Sequence, residues 1–207
     1  YLSGITVAQV CNMTAGFGNY LDTFLNTIKT GSGADVSVYT EDYIVKSILD
    51  EGTKFTPGTY SEYSNSGYYL LGRIIEQVSG ETYREYLKKS FFDVYGMDNT
   101  GFIGDAADNN KGYTVKDFPV ESPITYEIAY SAGGVISTTA DIEKWLKNYS
   151  NDKFFNMVDS AGGSYGFGWN IEKNGVYTHG GTTPSYSSNV IKDKMNKINV
   201  IVLSNLS

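Results

Sequence analysis

The order of periodicities along the chain predicts an α+β protein, a helical lobe followed by antiparallel strands. Three observations carry this reading. Apolar residues recur at helical spacing in several segments up to Tyr149. After about residue 160 the segments become short and strand-like. Asn174-Gly175, a dipeptide strongly favoured in two-residue hairpins, sits between two of those strands. With no internal repeat, the expected division is a mainly helical lobe over residues 1–155 and C-terminal antiparallel strands of an α/β lobe over 156–207, with a cleft between them.

The elements follow in order. Residues 40–50 read as a helix: Thr40 is placed to cap it, Glu41 and Asp42 suit the positive end of its dipole, and Ile44, Val45, Ile48 and Leu49 share a face. Phe55-Thr56-Pro57-Gly58 breaks the chain. From Tyr68 to Val78, Leu70, Leu71, Ile74, Ile75 and Val78 return at helical spacing, and Gly80 supplies the stop. Another helix carries Tyr83, Tyr86, Leu87 and Ser90 on one stripe, and Tyr95 to Pro123 reads as loop with short strands. A further helix opens at Ser137, where Thr138 and Asp141 have capping-box spacing and Ile142, Trp145, Leu146 and Tyr149 form the buried face. Tyr165–Lys173 and Val176–Gly181 are the arms of the Asn174-Gly175 hairpin; Ser185–Lys192 and Lys197–Ser204 are two more strands.

Composition narrows the function. The 207 residues are 41% hydrophobic and 14% aromatic, enough for a core in one domain or two tightly joined lobes. A net charge of −7 leaves no basic face, so neither nucleic acid nor an anionic membrane surface is an expected partner. Apolar runs such as Ile198–Leu203 are far shorter than the roughly 20 residues that span a bilayer. Cys11 is alone, which rules out an internal disulfide, and a single His with a single Cys disfavours a metal site. No cofactor is expected. Because the chain opens on Tyr1 and ends in the strand-like run Val202–Ser207, it reads as an interior piece of a longer polypeptide. Oligomeric state is not legible.

Two stretches could carry chemistry. In Tyr60–Tyr69 a phenol, Tyr63, stands two residues before a carboxamide, Asn65, in a short loop against a helix start. The same residues are also good turn chemistry. His179, the sole histidine, ends a strand and precedes Gly180 and Gly181, which allow close approach of a ligand and leave N–H groups exposed. A lone histidine near glycines is more often structural. A Cys11–His179 nucleophile pair lacks an orienting third group, and Cys11 reads as a small residue on the buried side of a short helix. Trp145 and Trp169 read as core and cleft wall.

Together with their surroundings these stretches resemble the serine β-lactamase-like hydrolases, the superfamily of class C β-lactamases, D-alanyl-D-alanine carboxypeptidases and related esterases and amidases. Phe55–Gly80 is similar to the family signature, Ile5–Gly16 to the segment usually ending in Thr-Ser-Gly, and Phe91–Thr100 to its Pro-Leu-Gly-Met stretch. Ala132–Thr138, Tyr165–Trp169 and His179–Pro184 match in the expected order. The resemblance implies a β-lactamase/transpeptidase-like fold and an acyl-enzyme formed by the serine of a Ser-x-x-Lys motif on an amide, ester or β-lactam bond. It implies that Tyr63 shares proton transfer with the lysine and that Asn65 hydrogen-bonds lysine and substrate amide. It also places His179, Gly180 and Gly181 at the Lys-Thr-Gly strand that lines the substrate, with the Thr182 N–H in the oxyanion hole. A small-molecule or peptide substrate and a cell-envelope or secreted location follow from the same likeness.

Two departures qualify it. In the family Ser-x-x-Lys lies upstream of the segment matching Ile5–Gly16, so the nucleophile helix and N-terminal strands are expected outside this chain, which by itself is expected to be inactive. The one literal match, Ser150-Asn151-Asp152-Lys153, follows a helix end and reads as a surface turn. Gly180 stands where a threonine hydroxyl helps hold a carboxylate, and with His for Lys this weakens anion recognition, favouring an esterase or a D-peptidase over a β-lactamase. The alternative is a non-catalytic homologue that binds cell-wall peptide or a protein partner.

Overall fold

The computed structural model describes residues 3–29, 35–105, 112–113, 124–149 and 152–206. They fall into two compact units, Tyr1–Tyr83 with Tyr126–Gly134, and Arg84–Thr125 with Val135–Ser207.

Helices make up the first unit. α1 (Val7–Cys11) opens on a capping box in which the Gln9 N–H donates to Thr6 Oγ1 at 3.2 Å and the Thr6 N–H donates to Gln9 Oε1 at 2.8 Å. α2 (Tyr20–Lys29) follows. α3 (Glu41–Glu51) has the expected Thr40 cap, whose hydroxyl accepts from the Tyr43 N–H at 3.3 Å, and it buries Ile44 and Ile48. α4 (Asn65–Ser79) ends on Gly80 in the left-handed conformation, φ 73°. It begins three residues before the sequence reading places it. Asn65, Ser66 and Gly67 are turn formers by propensity, yet here they form the first helical turn because tertiary contacts hold them. Behind α4 the rings of Tyr20, Tyr69, Tyr83 and Tyr130 pack with centroids 4.9–5.3 Å apart. Tyr69 donates to the Glu127 carbonyl at 2.9 Å, and Tyr20 to the carbonyl of Ile128, on α7 (Tyr126–Ala129).

The chain passes between the units at α5 (Tyr83–Leu87), runs through a π-helical turn at Lys88–Phe92 and enters α6 (Asp93–Tyr95). The stripe expected of Tyr83, Tyr86, Leu87 and Ser90 is buried or half-buried across the wider turn, while Thr82, Glu85, Lys88 and Lys89 are exposed.

In the second unit β1 (Gly101–Phe102) pairs with β2 (Val135–Ile136), and β3 (Tyr165–Gly166), β4 (Trp169–Ile171), β5 (Val176–Thr182), β6 (Ser187–Asp193) and β7 (Ile198–Ser204) form one antiparallel sheet in sequential order. Asn174 and Gly175 both have positive φ, 61° and 72°, in a three-residue loop closed by the Glu172 N–H donating to the Val176 carbonyl at 2.9 Å, one residue longer than the two-residue turn expected of the dipeptide. The predicted arm Tyr165–Lys173 is not one strand. Phe167 and Gly168, φ 47° and 90°, turn it back on itself so that Gly166 pairs with Trp169. α8 (Thr139–Tyr149) and α9 (Asp152–Asp159) supply Leu146, Phe155 and Val158 to a core with Trp169 and Tyr177. Trp145 stacks on Trp169, centroids 6.0 Å apart and planes within 4°. Burying a side chain the size of Phe155 contributes roughly 1.5–3 kcal/mol. Tyr177 donates to the Asp159 carboxylate at 2.8 and 3.0 Å; burial and then that carboxylate push its phenol up to about 12. Ser150 and Asn151 lie outside the described residues, and Lys153 is exposed on α9.

Thr138 caps α8, its hydroxyl accepting from the Asp141 N–H at 3.2 Å. The Asp141 carboxylate serves a different purpose from the expected reciprocal cap. Fully buried, it accepts from the Asn99 N–H at 2.7 Å, Thr100 Oγ1 at 3.1 Å and Lys144 Nζ at 2.8 Å, tying the loop before β1 to α8. Burial alone would raise its pKa, but the hydrogen bonds from Lys144, Asn99 and Thr100 outweigh it and the net shift is down. A depressed carboxylate stabilises the fold above its unfolded value, and the contribution is lost as pH falls through the folded one. Asp141→Asn is expected to cost about 1–3 kcal/mol at neutral pH. In denaturant unfolding of wild type and variant, that gap should close in acid; a gap that persists undiminished would contradict the assignment.

Candidate active site

The loop before α4 is held in place by a partner segment forty-odd residues earlier. Backbone N–H groups of Lys54, Gly58 and Glu62 donate to the carbonyls of Gly16, Thr14 and Met13 at 2.8, 2.8 and 3.0 Å. Ser64 Oγ donates to the Gly18 carbonyl at 2.6 Å, and the Tyr20 N–H donates to Ser66 Oγ at 3.0 Å. Glycine is needed at Gly16: φ is 88°, and a Cβ would lie 2.6 Å from the Phe55 carbonyl oxygen. Ser64, extended at φ −148° and ψ 119°, makes alternate side chains face opposite ways. Ser64 and Ser66 turn inward and are 5% and 1% exposed, whereas Tyr63 is 50% exposed and Asn65 half-buried.

Tyr63 and Asn65 are brought together. The Tyr63 hydroxyl donates to Asn65 Oδ1 across a long 3.4 Å, and the Asn65 N–H and Nδ2 both donate to Asn19 Oδ1 at 3.3 and 3.2 Å. Partial burial raises the Tyr63 phenol above its ordinary value, so it stands protonated at neutral pH. Asn19 was not visible as a partner of this pair in the sequence, because 46 positions separate it from Asn65 and no periodicity links them.

His179, Gly180, Gly181 and Thr182 share β5, opposite Val190, Asn189, Ser188 and Ser187 of β6. The last three of these β5 residues are exposed. Tyr165 on β3 lies with its hydroxyl 3.2 Å from His179 Nε2 and its ring edge-on to the imidazole. Its place in the Tyr165–Trp169 motif was the only signal of that contact. Neither Gly180 nor Gly181 adopts a backbone that demands glycine; a Cβ at Gly180 would meet the Ser188 carbonyl at an ordinary 3.4 Å. The missing side chain there is a chemical difference and not a steric necessity. Tyr63 and Asn65 belong to the first compact unit, and the β5 residues to the second. Burial raises the Cys11 thiol, which disfavours the nucleophilic thiolate.

A model of the Beta-lactamase family matches residues 1–207. The chain belongs to the Beta-lactamase family. Among its relatives, penicillin-binding protein 4* of Bacillus subtilis is 26% identical over 98% of this chain and 51% of its own length. Protein flp of Staphylococcus aureus (strain MRSA252) is 28% identical over 79% of this chain and 37% of its own length. The solved octameric penicillin-binding protein homologue from Pyrococcus abyssi superposes with a TM-score of 0.81 at 25% identity, covering 97% of this chain and 52% of that one. FmtA of Staphylococcus aureus, 18% identical with a TM-score of 0.77 over 98% of this chain and 57% of that one, shares the fold. This Beta-lactamase-family chain therefore has the β-lactamase/transpeptidase-like fold and spans about half the length of the first of these relatives. Among the described residues no helix is long and apolar enough to cross a membrane.

At the β5 site of this family member, burial lowers the His179 pKa, and a hydrogen bond with the Gly180 backbone offsets only part of that. The imidazole is thus neutral at pH 7. A buried neutral histidine stabilises the fold above its unfolded pKa of about 6.5, and this is lost as pH falls through its lower folded value. With one histidine in the sequence, its NMR titration is unambiguous. The midpoint is expected below about 6.5; a midpoint at or above that value would show that burial does not govern this group.

Proposed function

We propose that the full-length protein is a serine hydrolase that passes through an acyl-enzyme, and that this chain supplies its proton-transfer and substrate-lining residues. The observation that carries the reading is the Tyr63–Asn65 pair, set by the Ser64 and Ser66 clamp at the start of α4 within a chain that matches the family model throughout. In this reading the serine of a Ser-x-x-Lys segment outside these 207 residues attacks the carbonyl carbon. Its proton leaves through the Tyr63–lysine pair and reaches the leaving group, and water resolves the acyl-enzyme. A raised phenol cannot serve as a base at neutral pH without a cation beside it, so the lysine is what would bring Tyr63 down into working range. Asn65 binds that lysine and the substrate amide, and the Thr182 N–H contributes to the oxyanion hole.

On the substrate side, a neutral His179 and a hydroxyl-free Gly180 offer little to a carboxylate. This favours an ester or a D-amino-acid peptide over a carboxylate-anchored β-lactam. The division of labour would follow the proposed lobes, with residues 1–155 carrying the tyrosine loop and 156–207 the histidine strand.

A fluorophosphonate or fluorescent penicillin is expected to label the full-length protein covalently, with Tyr63→Phe slowing labelling by about 10²–10⁴-fold. An unchanged rate in the variant would remove Tyr63 from the mechanism. A full-length protein that neither probe labels would favour the alternative, a non-catalytic homologue that binds cell-wall peptide or a protein partner in the same site.

A further inference from the structure

We propose that Asn19, backed by Asp22, is a positioning residue that fixes which end of the Asn65 carboxamide faces Tyr63. The proposal rests on the reading of Tyr63 and Asn65 as site residues. A carboxamide is nearly the same shape either way round, but rotating it by half a turn exchanges acceptor for donor. Something must therefore choose the orientation, and the structure contains a one-way chain that does so.

The chain starts from an acceptor: the Asp22 carboxylate in the first turn of α2 takes a hydrogen bond from Asn19 Nδ2 at 3.0 Å. With its amino end committed to Asp22, Asn19 turns its oxygen the other way. That oxygen accepts from both the backbone N–H and Nδ2 of Asn65, at 3.3 and 3.2 Å. With its own amino end committed to Asn19, Asn65 presents Oδ1 to the Tyr63 hydroxyl. One Nδ2 hydrogen is used by Asn19, and the geometry of the amide leaves the second for a substrate carbonyl.

An ordinary helix cap does not account for this arrangement. An asparagine capping α2 would point its side-chain oxygen at an N–H of that helix. Here the Asp22 N–H instead donates to the Asn19 backbone carbonyl at 3.0 Å, and the side-chain oxygen is turned away to Asn65.

The test uses the full-length protein and a fluorescent penicillin or fluorophosphonate probe. Asn19→Ala should slow covalent labelling by about 10- to 100-fold through misplacement of Asn65. Made on an Asn65→Ala background, the same change should add no further loss, because the two residues act as one unit. The exchanged pair N19D/D22N keeps the net charge and restores an acceptor facing Asn65 with a donor behind it, so it should recover most of the rate. Independently of chemistry, NMR should show one Asn65 side-chain amide proton exchanging with water more slowly than its twin, a difference that Asn19→Ala abolishes. An equal loss with or without Asn65, or a failure of the exchanged pair to rescue, would overturn the proposal. If neither probe labels the wild type, the hydrolase reading fails, and the amide-proton exchange alone then decides the positioning.

Discussion

The first unit depends on a ladder of hydrogen bonds between two segments that have little regular structure of their own. Met13–Tyr20 and Lys54–Ser66 are joined at Gly16, Thr14, Met13, Gly18 and Ser66, each by a bond no longer than 3.0 Å. Each such bond contributes only about 0.5–1.5 kcal/mol net, but leaving a carbonyl of the buried Met13, Gly16 or Gly18 without its partner would cost more. The ladder therefore acts less as a source of stability than as a register. It decides that Ser64 and Ser66 face inward, and by alternation that Tyr63 and Asn65 face outward. It also lets α4 begin at Asn65, where the local residues prefer a turn.

The second unit solves a related problem differently. Its sheet is assembled from strands adjacent in sequence, so local turn chemistry carries most of the register. Positive-φ residues at Phe167-Gly168 and at Asn174-Gly175 reverse the chain tightly enough to pair Gly166 with Trp169 and Ile171 with Tyr177. The helices are then fastened by few polar contacts of long reach: Asp141 gathers Asn99, Thr100 and Lys144, Tyr177 meets Asp159, and Asn199 donates to Glu143 at 2.8 Å. Between these bonds the aromatic core of Phe155, Trp169 and Tyr177 supplies the apolar burial.

The electrostatics of the candidate residues have a common cause. Tyr63, His179 and Cys11 are all shifted toward their neutral forms by removal from water. Each of these groups can share or donate a hydrogen bond at neutral pH, and none of the three brings a charge of its own.

Much was legible in the sequence because much is local. The Thr40 cap, the Gly80 stop, the face of α3, the Asn174-Gly175 turn and the last two strands follow from residues within a few positions of one another, whereas α4 buries Tyr69, Leu70 and Gly72 and leaves Ile74 and Val78 of its expected stripe exposed. The Thr6–Gln9 capping box was legible in principle through its Thr-x-x-Gln spacing. The motifs of the Beta-lactamase family could likewise be read in order along the chain, so membership needed no coordinates. What only the tertiary structure decided are the partners separated by tens of residues: Asn19 with Asn65, Tyr165 with His179, Asp141 with Asn99. Such pairs leave no periodicity behind, because a hydrogen bond across the fold constrains two positions and not the spacing between them.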